Sequence, residues 1–165
     1  MSTLTVCLFL LYSVTDTFAQ FPGSNIRDEV LSLDVSDAVY NANTSEFLGS
    51  KNISSTPYRI TETHHLDRGL LNNVVNVTNR QTFLNTYLSD DLLLGRGNGT
   101  IETTDGQNIS WISSDIGRLI DNKWTFDGII FFNNTHSESL SLLNNSIGLS
   151  KSIAGSEPDY IWLLE

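Results

Sequence analysis

The sequence has little cysteine, few basic residues and no long hydrophobic run. Cys7 is the only cysteine among 165 residues and lies in an N-terminal apolar stretch, so we expect no disulfide, thiolate catalysis or Cys-ligated zinc. Lys and Arg number 9 against 19 Asp and Glu, which gives a net charge of −10. Nucleic acid is not an expected partner, because neutralising phosphates requires clustered positive charge.

Motifs for cofactors and common catalytic centres are also missing. The glycine-rich segment 95–99 (Gly-Arg-Gly-Asn-Gly) lacks the Lys-Ser/Thr of a phosphate-binding loop, and no Gly-x-Ser-x-Gly elbow occurs. The three histidines have no third ligand at a spacing that indicates a metal site. We therefore expect neither a cofactor nor a metal.

The N-terminus is typical of an exported protein. Residues 4–14 form an apolar stretch of 11, and Thr17-Phe18-Ala19 places small residues before a cut at Ala19/Gln20. Residues 1–19 are thus predicted to be a signal peptide, although Met1-Ser2-Thr3 carries no Lys or Arg. Eleven residues are too few for a transmembrane span, which needs roughly 20. We expect an extracellular or cell-surface protein.

Glycosylation acceptor motifs support export. The pattern Asn-x-Ser/Thr occurs seven times, whereas 16 Asn and 36 Ser plus Thr predict roughly 3.5 by chance. If these asparagines carry glycans, all of them must face solvent. The motifs begin at Asn43, Asn52, Asn76, Asn98, Asn108, Asn133 and Asn144.

The rest of the chain divides near Pro57. Residues 20–56 show little apolar periodicity and are predicted to be an exposed N-terminal segment; whether they include an ordered first strand stays open. From residue 57 to 165, turn signals recur between short runs rich in β-branched and aromatic residues, as in an antiparallel β domain. Two of these signals are Asp67-Arg68-Gly69 and segment 95–99. Strands are predicted at 58–66, 70–78, 82–93, 99–103, 108–113, 123–133 and 160–164.

Three segments carry more specific expectations. Asp105-Gly106 predicts a tight hairpin between two strands. Segment 82–93 also fits a helix, and strand is preferred narrowly. Residues 137–147 predict one short helix with Ser137 as its N-cap, because apolar residues recur there at helical spacing.

Segments 97–111, 115–117, 123–132 and 140–148 contain, in this order, a glycine-led strand, an Asp-Gly hairpin, an aromatic strand with glycine and a Leu-x-Leu segment. This order resembles small exported β-barrels of the allene-oxide-cyclase and dirigent kind. It covers about 50 residues, and no family catalytic residue can be matched. It implies a mainly β fold, an antiparallel sheet forming a closed or nearly closed barrel of about eight strands whose mouth holds an apolar small molecule.

A weaker alternative is a fasciclin-type adhesion domain. Segment 87–93 followed by 100–109 is similar to that family's helix leading to a strand, and 126–133 resembles its closing motif without the histidine. This alternative implies adhesion at a cell surface.

The candidate site residues lie on three predicted strands. If Tyr58 and Ile60 face inward, Glu62 and His64 share that face about 7 Å apart along the strand, within reach of one ligand. Such a pair fits acid/base catalysis in an isomerase or cyclase, but it also fits an ordinary strand end that leaves the core. Rings that would line a cavity or simply fill the core are Trp111, Trp124 and Phe126.

These observations favour an exported, glycosylated β-barrel without enzymatic activity that binds an apolar small molecule or another protein. The alternatives are an acid/base enzyme that uses Glu62 and His64, and a fasciclin-like adhesion domain.

Overall fold

The chain forms a closed barrel of eight antiparallel strands. The computed structural model describes residues 34–133, 135–155 and 159–164, so the predicted signal peptide lies outside the described residues. Each strand pairs with the next along the chain, and β8 pairs with β1. The strands are β1 Tyr40–Ser54, β2 Arg59–Leu71, β3 Val75–Tyr87, β4 Leu92–Thr103, β5 Asn108–Ile120, β6 Lys123–Phe132, β7 Ile147–Ile153 and β8 Tyr160–Leu163. The predicted fold class is confirmed.

Tight turns between strands account for the up-and-down order. The turn from β2 to β3 has Asn72 and Asn73 at φ 49° and 57°, and the turn from β5 to β6 has Asp121 and Asn122 at 50° and 62°. Positive φ at both central residues suits the right-handed twist of paired strands. The predicted Asp-Gly hairpin between β4 and β5 is confirmed, with Gly106 at φ 83°.

One end of the barrel, which we call the closed end, is filled with apolar side chains. Segment 135–146, between β6 and β7, contributes Leu140 and Leu143, both with no exposed surface. They pack with inner-face residues of the strands in one hydrophobic core. The other members include Tyr40, Leu71, Val77, Ile101, Ile109, Phe132 and Ile161.

The seam between β1 and β8 is short. Tyr40 faces Ile161 and Asn41 faces Tyr160 as the only paired residues in these two strands. Two flanking backbone bonds extend the seam, from Val39 N to Ile161 O (2.8 Å) and from Ala42 N to Asp159 O (2.9 Å). Beyond them β1 continues to Ser54 along β2.

The predicted domain boundary at residue 57 is wrong, because β1 begins at Tyr40 and belongs to the barrel. Segment 20–56 therefore contains a strand in its described part. Tyr40 and Ala42 are buried, whereas ten of the remaining twelve residues after Ala42 are exposed to solvent. A strand with so little buried surface lacks the alternation by which strands are recognised in sequence.

Two predicted turns are strand interiors. β2 continues through Asp67-Arg68-Gly69. Glycine is required at position 69 because an added Cβ atom would lie 2.2 Å from Asn41 O on the neighbouring strand. Segment 95–99 lies in the middle of β4, where its three glycines face the barrel interior. In both places glycine allows close packing across the sheet and does not mark a turn.

The predicted helix at 137–147 is wrong in extent. Only Ser141–Leu143 forms a single 3₁₀ turn, although Ser137 Oγ does accept a hydrogen bond from Leu140 N (3.1 Å). Asn145 at φ 52° ends the turn before a helix can develop. The preference for strand at 82–93 is confirmed except at residues 88–91, which connect β3 to β4.

Within the residues that the structure describes, no helix has the length and hydrophobicity that a membrane span requires.

Candidate functional site: the barrel cavity

An interior cavity of about 610 Å³ occupies the barrel between the closed end and the opposite, open end. Its wall is formed by the inner faces of the strands, with Ala154, Gly155 and Asp159 at the mouth. This volume lies in the range of small-molecule sites, which is about 300–1,000 Å³.

Aromatic rings form one side of the cavity. His65 contacts Phe47 on β1 and Phe83 on β3 edge to face, with ring centroids 5.4 and 6.0 Å apart. Phe83 in turn lies 6.1 Å from Trp111 on β5. These four rings make a continuous apolar surface from the rim towards the closed end.

A second aromatic group lies near the mouth. Trp124 contacts Tyr87 edge to face at 5.9 Å and stacks on Phe126 at 6.3 Å. Outside the cavity, Arg59 covers the Tyr87 ring at 3.5 Å from its centroid. The rings are therefore held by contacts on both sides and present fixed faces to a ligand.

Polar groups near the closed end of the cavity are mostly bonded to one another. Trp111 Nε1 donates to Asn79 Oδ1 (2.9 Å), and Gln81 Nε2 donates to Asp67 Oδ2. Asp67 has no exposed surface. Burial raises the pKa of its carboxyl, and hydrogen bonds from Ser45 and Gln81 offset part of this rise.

Asp115 on β5 belongs to a small set of wall side chains that have a buried oxygen without a partner among the described residues, which includes Asp67 (Oδ1) and Ser113 (Oγ). It is 7 % exposed, and its Oδ1 is buried without a hydrogen-bond partner in the described part of the protein. Burial raises the pKa of Asp115 to about 6. A carboxylate in this position is open to a partner supplied from the cavity.

Two glycines make the space that Asp115 occupies. Gly95 on β4 and Gly128 on β6 lie directly opposite Asp115 in the two neighbouring strands. A Cβ atom on Gly95 would lie 2.0 Å from Asp115 Oδ1, and one on Gly128 would lie 2.7 Å from Asp115 Cβ. The carboxyl thus lies flat against a stretch of wall that has no side chains of its own, and we call this place the Asp115 niche.

Besides the tyrosine hydroxyls, three further charged or ionisable groups border the cavity. Asp159 and Lys151 lie at the mouth. His65 lies in the aromatic wall, where burial and the neighbouring His64 lower its pKa. An uncharged His65 leaves the interior with two carboxyl groups and no cation.

The predicted ring residues line the cavity, but the predicted acid/base pair does not. Trp111, Trp124 and Phe126 all face inward. Tyr58 and Ile60 are not part of the cavity wall, and Tyr58 is exposed before β2 begins.

Glu62 and His64 contact each other on the outer wall. His64 Nε2 lies 3.2 Å from Glu62 Oε1, and His64 Nδ1 lies 3.1 Å from Thr82 Oγ1. The cavity is lined instead by Thr63 and His65, the opposite face of β2. The predicted inward orientation of the pair is therefore wrong.

The orientation of β2 runs against the usual rule that the more apolar face turns inward. The outward face carries Ile60, Leu66 and Leu70 beside Glu62, His64 and Arg68, whereas the inward face carries Thr63, His65 and Asp67 along the cavity and Leu71 at the closed end. A strand that lines a polar part of a cavity reverses the expected pattern, as functional sites often do. The signal that could have identified Asp115 is the pair of glycines one strand away on either side, which is readable only when the register is known.

All seven asparagines of the glycosylation motifs are exposed in the structure. Asn43, Asn76, Asn98 and Asn108 lie on strands with their side chains on the outside, while Asn133 and Asn144 lie beside the closed end. The geometric condition for glycosylation is met at every motif, and glycosylation itself stays a prediction.

Metal binding has no support in the described ranges: nowhere in 34–133, 135–155 and 159–164 do three His, Cys, Asp or Glu side chains converge.

Segment 87–91, on which the fasciclin resemblance depends, ends β3 and forms a turn in place of that family's helix. Comparison with protein-family models, curated proteins and solved structures finds no match for this chain. The resemblance to allene-oxide-cyclase and dirigent barrels therefore stays a prediction.

Proposed function

We propose that the protein is an exported, glycosylated binding protein that holds an apolar small molecule in its barrel cavity. The observation that carries this proposal is a cavity of about 610 Å³ walled by two groups of aromatic rings. Sites for small molecules are concave, mostly apolar and supplied with few polar groups, and this cavity fits that description.

Export and glycosylation are supported by the leader-like N-terminus and by the exposure of all seven acceptor asparagines. The chain has only Cys7, so an oxidising compartment adds no cross-link to the barrel. Expression in a eukaryotic secretory host tests this part: we expect loss of residues 1–19 and a mass decrease after enzymatic removal of N-glycans. An unmodified, uncleaved product would contradict it.

The cavity is favoured over the outer wall as the binding surface. Exposed apolar residues on the outside of β5 and β6 include Ile112 and Phe131, which face each other in the sheet. Asn98 faces Ile112 from β4 and begins a glycosylation motif. A glycan there would cover this part of the outer wall, whereas the interior stays free.

Titration with the neutral apolar dye Nile red tests the binding function. We expect saturable binding to one site per chain and a blue shift of the dye emission, because the dye leaves water for an aromatic cavity. In Phe126→Ala the affinity falls roughly tenfold, which corresponds to about 1.4 kcal/mol of lost contact.

Phe131→Ala is the matched control, since it removes the same ring from the outer face of the same strand. We expect its affinity for Nile red to stay within about twofold of the unmodified protein. Absence of dye binding to the unmodified protein, or an equal loss in both variants, would contradict the cavity as the binding site.

Neither alternative function gains comparable support. Glu62 and His64 form a surface pair on the outer wall, so acid/base chemistry on a cavity ligand would need other groups. Adhesion through a fasciclin-like surface has no structural feature of that family to support it among the described residues.

A further inference from the structure

The Asp115 niche bears on the chemical class of the ligand. Asp115 Oδ1 is a buried acceptor without a protein partner in the described chain, and it belongs to the wall of the cavity. A buried carboxyl is stable only when a donor or a positive charge reaches it, or when it holds a proton. Among the described residues no donor or positive charge reaches Oδ1, so an ionised Asp115 needs a partner from the cavity.

The surroundings of the niche are aromatic on both sides along the barrel axis. On β5, Ser113 and Gly117 flank Asp115 on the same face, each about 7 Å away. A Cβ atom on Gly117 would lie 2.8 Å from the Phe126 ring. Gly97 lies opposite Ser113, and a Cβ atom there would lie 2.6 Å from the Phe83 ring. Asp115 therefore lies between Phe126 towards the mouth and Phe83 towards the closed end.

A carboxylate beside aromatic rings is an arrangement that can recognise organic cations. The carboxylate supplies charge and a hydrogen-bond acceptor, and ring faces attract positive charge. The other groups at the cavity that could carry positive charge do not supply this partner: Lys151 lies at the exposed mouth, and burial lowers the pKa of His65, which favours its neutral form. Asp67, the other interior carboxyl, already accepts a hydrogen bond from Gln81.

We propose that the cavity ligand is an apolar amine whose ammonium group pairs with Asp115 while its hydrophobic body lies between Phe83 and Phe126. This inference rests on the proposed binding function and specifies its ligand class.

Calorimetric titration with three probes that share a naphthalene ring system tests the amine proposal. The probes are 2-(1-naphthyl)ethylamine, 2-(1-naphthyl)ethanol and 1-naphthaleneacetate. At pH 7.5 the amine is cationic, the alcohol neutral and the acetate anionic. We expect the amine to bind roughly tenfold more tightly than the alcohol, and the acetate to bind most weakly, because a charge-assisted hydrogen bond exceeds a neutral one.

Asp115→Asn removes the charge and keeps the shape. The amine loses roughly tenfold in affinity, whereas the alcohol changes by less than about twofold and shows that the cavity is intact. Asp127→Asn is the matched control, since Asp127 lies on the outer face of β6 near Arg118 (3.5 Å) and its loss changes the net charge equally. We expect the control to bind all three probes as the unmodified protein does.

The pH dependence adds a second readout that needs no variant. Lowering the pH from 7.5 to 5 protonates Asp115 while the amine stays charged, so the preference for amine over alcohol shrinks. The other titratable groups facing the cavity are His65, Asp67, Lys151, Asp159 and the hydroxyls of Tyr40, Tyr87 and Tyr160. A pH effect that persists in Asp115→Asn belongs to one of those groups and contradicts the assignment.

The outcomes separate the two proposals. If Nile red and the alcohol bind but the amine has no advantage, the ligand class is wrong and the binding function stands. If the alcohol binds as tightly as the amine and is weakened by Asp115→Asn, the ligand is a neutral donor and the amine is overturned. If no probe binds, both proposals fail. Should Asp115→Asn not fold, Gly95→Ala displaces the same carboxyl and the amine advantage must fall there.

Discussion

The two ends of the barrel use the same inner-face positions for different purposes. On β5, Ile109 and Trp111 pack at the closed end, whereas Ser113 and Asp115 face the cavity two and four residues after Trp111. The closed end gains its stability from apolar burial, and the open half retains polar groups that cost stability when buried. The comparison teaches that folding and recognition are separable along a single strand, so each can be changed with limited effect on the other.

The largest expected effect comes from emptying the closed end. Leu143→Ala removes a side chain with no exposed surface from the core and should lower the free energy of unfolding by about 3–5 kcal/mol. Urea denaturation measures this change. Nile red affinity of the folded fraction should stay within about twofold; a large loss of affinity would show that the two ends are not separable.

The next effect is the dependence of stability on pH in the open half. Because the pKa of Asp115 is about 6 in the fold and near 3.8 when unfolded, the unfolded chain releases its proton first as the pH rises. Stability therefore falls between about pH 4 and 6, by about 2–3 kcal/mol for this group, and stays low above that window. Burial also raises the pKa of Asp67, so this carboxyl changes the stability in the same direction.

Asp115→Asn should remove most of that fall and make the protein more stable than the unmodified chain at pH 7.5, as measured by urea denaturation at both ends of the window. Asp127→Asn, on the exposed outer face, serves as control and should leave the pH profile unchanged. If the stability of the unmodified protein did not change between about pH 4 and 6, that result would contradict a buried, unpaired Asp115.

Glycine substitutions on β4 give a smaller effect and sharpen the comparison further. At Gly99 an added Cβ would lie 2.4 Å from Arg80 O, a backbone atom, whereas at Gly95 the nearest atoms belong to the Asp115 side chain. Gly99→Ala should therefore cost about 1–3 kcal/mol of stability, and Gly95→Ala less, because a side chain can turn into the cavity. Equal costs at both positions would contradict the niche.

The smallest effect is expected on the outer wall. Glu62→Gln removes the charge of a carboxylate that contacts His64 on the outer wall; both side chains are more than a third exposed, so stability should change by less than about 1 kcal/mol. Nile red and amine affinities should not change. A loss of binding in this variant would show that Glu62 contributes to the binding site.

The sequence predicted the barrel where the pattern is local. The Asp-Gly hairpin and the inner face of β6, with Trp124, Phe126 and Phe132, follow from turn chemistry and from alternation of side chains. These features depend on neighbours in the chain and need no knowledge of the sheet. The closed architecture is implied by the family resemblance, and it also requires β1, Tyr40–Ser54, which lies outside residues 57–165.

The features that could not be predicted depend on register. The glycines of β4 are indistinguishable in sequence from turn glycines until Trp111 and Asp115 are placed opposite them. The orientation of β2 is equally ambiguous in the sequence, because each face of the strand carries a histidine. In the structure, the face with Thr63, His65 and Asp67 lines the cavity. Sequence periodicity reports that a strand has two faces and does not report which one meets a ligand.

The packed closed end has a kinetic consequence. Since Leu140 and Leu143 fill that end, a ligand that enters the cavity at the mouth passes Tyr87 and Trp124, and it passes the same rings when it leaves by that route. By microscopic reversibility, a substitution that only narrows this passage slows uptake and escape by an equal factor. A substitution at the rim can thus lengthen the residence time of the ligand without changing the dissociation constant, which depends on the contacts that the ligand makes inside the cavity.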